Sequence, residues 1–252
     1  MHSSRSLKLS TTFKWLLAAG MVSTLAACGG DGGSEPVTPP PVPKKTLTIT
    51  GTAATGLAVA NGPVAAACRT GAGTATTGAD GNYTVTASDA NADAVGPCVL
   101  QVTTSGGATL RSFATGDGQR ANITPLTELL VNYVATQAGA AGNANAAALV
   151  TNTGVQTVLS NQTLLTKSVT NLIQVITTAA GGGVTIPTNF LNAPMTAATS
   201  TNPNAGDALD KVLDTLKAKA VITATGAPST AVAQAAVQNA NQNRVTGATG
   251  GN

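Results

Sequence analysis

From Thr46 to Ala114 polar and apolar residues alternate in short runs rich in Thr, Val and Ile, each closed by Gly, Asn or Asp. A period of two marks a strand with one buried face, and the pattern predicts strands at 46–52, 63–69, 73–77, 82–87, 98–104 and 108–114. Asp80-Gly81 between two Thr-rich runs supplies the positive φ that a tight hairpin needs. After Arg120 the period lengthens. Thr124 followed by Pro125 reads as a helix start, a hydroxyl cap and then proline at the first position, and Leu126, Leu129, Leu130, Tyr133 and Val134 fall on one face. Leu165, Val169, Leu172, Ile173 and Ile176 form a second stripe. Leu209, Val212, Leu213 and Leu216 form a third, with Asp207 and Asp210 in its first turn and Lys217 and Lys219 in its last, as the helix dipole favours. The stripes predict helices that pack against one another. Alanine content adds helices at 143–150 and 228–241, but the Ala, Asn, Thr and Gly between 137 and 204 set no clear boundaries. Residues 226–252 are expected to be a weakly structured tail, frayed from Arg244 onward.

A different apolar run occupies the N-terminus. Arg5, Lys8 and Lys14 precede and flank the stretch Trp15 to Leu25, which small residues follow, as in a secretory signal peptide. About a dozen apolar residues is too short to span a bilayer, for which roughly 20 are needed. The ending Leu25-Ala26-Ala27-Cys28 resembles the lipobox of bacterial lipoproteins. That resemblance implies cleavage of residues 1–27, a thioether-linked diacylglycerol on Cys28 and acylation of its new amino group, so that the membrane becomes a partner through the lipid. Gly29, where the resembling lipoproteins use Asp for inner-membrane retention, implies the outer membrane. Residues 28–45 then read as a tether, in which Pro36 to Pro43 favour polyproline II.

Cleavage changes what the composition means. The whole chain carries a formal charge of +3, but three of its 13 Lys and Arg leave with the signal while all 10 Asp and Glu stay, so the mature chain is formally neutral. A nucleic-acid partner is therefore not expected. His2, the only histidine, leaves too, which excludes Ser-His-Asp, Cys-His and His-ligated zinc chemistry in the mature chain. No cofactor is expected, and the enzymatic alternative is a hydrolase using two carboxylates. With Cys28 given to lipid, Cys68 and Cys98 remain as an even pair in a compartment that permits disulfides.

Ile49-Thr50-Gly51, Gly62-Pro63-Val64 and Thr77-Gly-Ala-Asp-Gly-Asn-Tyr83 resemble the transthyretin-like or carboxypeptidase-regulatory-like domain. The resemblance implies a seven-stranded β-sandwich, a turn before Tyr83 that sends the aromatic ring inward, and a non-catalytic scaffold or recognition role. The expected fold class is therefore α+β in separate domains, a transthyretin-like (prealbumin-like) sandwich over 46–116 and a helical domain over 122–225. Asp89, Asn91 and Asp93 have the spacing that opens a calcium loop, although Ala94 stands where glycine is needed and Leu100 where Glu should chelate. Gly181-Gly-Gly183 lacks the lysine of a phosphate loop. Arg69, Arg111 and Arg120, on strand faces and loop tips, are candidates for binding a glycan or a peptide, and the expected partner is an unknown envelope protein or glycan. A mature chain without Trp is poorly equipped to stack on sugar rings. Function is expected to lie in binding or assembly in the cell envelope, with a surface adhesin or carbohydrate-binding protein as a further alternative.

Overall fold

The computed structural model describes residues 42–245. The predicted strands are all present: β1 (Leu47–Thr52), β2 (Pro63–Thr70), β3 (Ala72–Thr76), β4 (Asn82–Ala87), β5 (Val95–Thr103) and β6 (Thr109–Ala114). β1 pairs antiparallel with β4, while β3, β2, β5 and β6 lie in that order in a second antiparallel sheet. The turn at Asp80-Gly81 has the expected positive φ at Gly81, and Asp80 accepts the main-chain N–H of Asn82 at 3.0 Å. It does not close a hairpin ladder. The strands it joins belong to different sheets, with only the isolated pair Ala72–Ser88 linking β3 to the residue after β4.

Strand alternation determines what each face buries. On β4, Tyr83, Val85 and Ala87 point in while Asn82, Thr84 and Thr86 point out. They meet Val64 and Ala66 of β2, Leu100 and Val102 of β5, and Leu110 of β6 in one core between the sheets. The Tyr83 ring is buried, as the motif implied, and its hydroxyl donates to the carbonyl of Ala121. The opposite face of the four-stranded sheet is apolar as well: Val99 and Phe113 belong to a second core, shared with the helices.

The helices are α1 (Pro125–Gln137), α2 (Ala146–Thr151), α3 (Thr153–Ser160), α4 (Gln162–Ala179), α5 (Ala208–Ala218) and α6 (Thr230–Gln242). Thr124 caps α1 as predicted. Its hydroxyl accepts the N–H of Thr127, and the Thr127 hydroxyl accepts the N–H of Thr124 in return. The rest of α1 departs from the single stripe read in the sequence, because every residue except Asn132 is buried. β6 covers one side of it, and α3, α4 and α6 cover others. The sequence pattern gave no helix at α3, although Asn152 caps it by accepting the N–H of Val155.

Residues from Val42 onward form one compact unit in which the four-stranded sheet lies between the two cores. The predicted boundary near residue 120 falls inside that unit, since α1 packs on β6 and shares a core with Phe113. Residues 226–245, expected to be weakly structured, instead carry a packed helix. α6 packs on α1 and α4 through Val232, Ala236 and Ala240, small residues one helical turn apart that let the helices approach closely. The Val245 N–H donates to the carbonyl of Gln137, which fixes the end of this segment to the end of α1.

The long segment between α4 and α5 has no regular structure, yet Val184, Ile186, Phe190 and Met195 are buried. Asn122, itself fully buried, ties this segment down. Its Nδ2 donates to the carbonyls of Phe190 (3.2 Å) and Ala193 (2.8 Å), while its Oδ1 accepts the N–H of Thr52. Residues 188–192 are thereby held beside α4.

Candidate functional site

The sequence offered three arginines as contact residues, and the structure separates them. Arg111 is buried on the helix side of β6. Its main-chain N–H donates to Glu128 Oε2 at 2.8 Å, its Nε to the same oxygen at 3.0 Å, and its Nη2 to Glu128 Oε1 at 2.6 Å. The guanidinium also reaches the carbonyls of Gly142 and Ala144. Glu128 is in the first turn of α1, where the helix dipole favours an anion. Arg111 is thus a clamp between sheet and helix, and its candidacy as a ligand contact is withdrawn because it is desolvated and fully engaged within the protein.

Arg69 and Arg120 behave differently. Each lines a cavity, of about 360 and 330 Å³ respectively, and the two cavities adjoin, sharing Thr115 and Gln162. Together they form a groove between the strand ends at Gly96-Pro97 and Phe113–Thr115 on one side and the first turns of α4 on the other. Leu165 and Val169 of α4 and Leu191 supply its apolar lining, while Gln119, Thr166, Thr170, Asn189 and Asn192 supply amides and hydroxyls. No Asp, Glu or Lys lines either cavity. Arg69 is exposed and Arg120 half-buried, and neither guanidinium has a hydrogen-bond or ion-pair partner among the described residues. Gln162, Asn189 and Asn192 were not singled out in the sequence. They come from segments distant in sequence, and no local motif marks them.

The remaining candidates resolve into structural roles. Cys68 and Cys98 are directly opposed on β2 and β5 and are paired as a disulfide, with Cα atoms 3.9 Å apart. Asp89 Oδ1 accepts the N–H groups of Asn91 and Ala92, closing its own turn, and Asp93 Oδ1 accepts the N–H of Lys45. These carboxylates serve the chain around them and do not converge on a common point. Among the described residues no group of three or more His, Cys, Asp or Glu is placed to hold a metal ion. Cys28 lies outside the described residues.

The first turns of α5 hold a feature the sequence did not reveal. Asp207 caps the helix, accepting from the N–H groups of Leu209 and Asp210, and its other oxygen accepts from Thr196. Asp210 is 1% exposed; Oδ2 accepts the N–H of Ala198 and Oδ1 has no partner among the described residues. Burial pushes its carboxyl above the ordinary carboxylate range, the Ala198 N–H works against this, and Asp214 and Asp207 add to it. A carboxyl that binds its proton more tightly folded than unfolded contributes stability that grows as pH falls through its folded-state pKa toward its unfolded value. Asp210→Asn is therefore expected to be more stable than the parent at pH 7.5, with the gap closing toward pH 4.5. Urea titrations across that range test this, and a gap independent of pH would refute it.

The chain matches no family model, no curated protein and no solved structure.

Proposed function

We propose that this protein is a lipoprotein of the outer membrane, anchored through Cys28, that acts as a non-catalytic binding or assembly module in the cell envelope. In this reading the strand layers are a transthyretin-like sandwich whose four-stranded sheet carries the helices. The observation that supports binding most strongly is the groove with two uncommitted arginines and no carboxylate. Elsewhere, Asp80, Asp89, Asp93, Asp117, Glu128, Asp207 and Asp210 are used in turns, caps and the clamp. Expression of the full chain with labelled palmitate is expected to give an acylated product that fractionates with the outer membrane and loses the label in Cys28→Ser. Labelling that survives this substitution, or recovery in the inner membrane, would reject the proposal.

A second reading, a carboxylate-based hydrolase, draws on a different observation. Asp210, held toward its protonated form, and Asp214 line one cavity, and an acid whose pKa is raised beside a second carboxylate is the pattern of general acid catalysis. Hydrolysis of envelope glycans by the full chain that disappears in Asp210→Asn and in Asp214→Asn would favour it over the binding module.

A further inference from the structure

We infer that the groove between Arg69 and Arg120 binds an extended acidic peptide segment of a partner protein, an inference that rests on the binding-module reading and names its ligand class. The first argument is charge. Two guanidiniums without partners among the described residues, in a groove with no acidic lining residue, favour an anion and disfavour a basic segment.

The second argument separates peptide from acidic glycan. Sugar recognition relies on exposed aromatic faces, whereas Tyr83, Phe113, Tyr133 and Phe190 are all at most 4% exposed. Leu165, Val169 and Leu191 instead offer contact to aliphatic side chains.

The third argument is shape. The two cavities adjoin at Thr115 and Gln162, so a ligand that meets both Arg120 and Arg69 must span both cavities, as an extended segment does and a single small anion does not.

The test uses the full chain in detergent and three probes: a fluorescein-labelled octapeptide alternating Glu and Val, its Lys-Val counterpart, and an oligogalacturonate. Saturable binding of the Glu-Val peptide is expected, weakened by salt, with no binding of the Lys-Val peptide. Arg69→Ala combined with Arg120→Ala is expected to weaken it by at least about tenfold, equivalent to about 1.4 kcal/mol. Thermal unfolding of this variant should match the parent, since neither side chain holds the fold together. Absence of saturable binding, equal binding by the double variant, or preference for oligogalacturonate would overturn the inference. Acylation at Cys28 is scored separately by mass, so an acylated chain that ignores the peptide refutes the groove alone. A chain that binds the peptide without acylation refutes the anchor alone.

Discussion

Glu128→Ala is expected to destabilise the protein by about 3–5 kcal/mol, the usual range for breaking one side of a buried ion pair. The reason is what the substitution leaves behind. Arg111 would keep the carbonyls of Gly142 and Ala144 and the side chain of Asn132, but its charge would lie between sheet and helix with no counter-charge. Its main-chain N–H would also lose its acceptor, although alanine fits an α-helix well. Replacing both partners by apolar residues of similar volume, Arg111→Met with Glu128→Leu, should recover most of the loss, since no charge is then stranded. Urea unfolding of the parent, Arg111→Met, Glu128→Leu and the pair closes the cycle, with Glu128→Ala measured beside it. A single-variant loss below about 1 kcal/mol, the range of exposed ion pairs, would show that the clamp is solvated and that sheet and helices are less firmly joined than described.

Removal of the Cys68–Cys98 bridge has the next largest expected effect. The bond closes a loop with a sequence separation of 30 residues, and the chain-entropy model assigns such a loop about 3–4 kcal/mol. Cys68→Ala with Cys98→Ala is the informative variant, because both side chains are buried and serine would add a buried hydroxyl to the measurement. The two positions already face each other in the β2–β5 ladder, so the folded state needs little rearrangement and the effect should fall on the unfolded chain. The signature would be a lower urea midpoint together with a larger unfolded state, seen as an increased m-value. An unchanged midpoint in the double variant, or free thiols in unreduced protein, would refute the role assigned to the bridge.

Much of the strand layer was legible because its period of two lies in the local sequence, with Thr, Val and Ile marking each run. The start of α1 was legible for the same reason, as Thr124 and Pro125 are local signals. What escaped depended on layers meeting. Arg111 looked like a strand residue facing solvent because β6 was assigned to a sandwich with one buried face; its other face is covered by α1, which no alternation within β6 can reveal. α1 showed one apolar stripe, while Val131 and Ala135 on its remaining faces are buried by elements far away in sequence. α3 had a usable signal, since Asn145, Asn152 and Asn161 each cap the helix that follows, yet among so many Ala, Asn and Thr those caps do not stand out. Asp210 read as a residue complementing a helix dipole, and only the fold of residues 196–206 over α5 takes it out of water.

The position of α6 also bears on how the chain is made. α1 is complete by residue 137, but one of its flanks is covered only by a helix that begins at Thr230. During synthesis its apolar surface must therefore wait for nearly a hundred further residues before it is enclosed. Until α6 emerges, a nascent chain of this design leaves that flank of α1 uncovered, so the order of synthesis makes enclosure of α1 a late event.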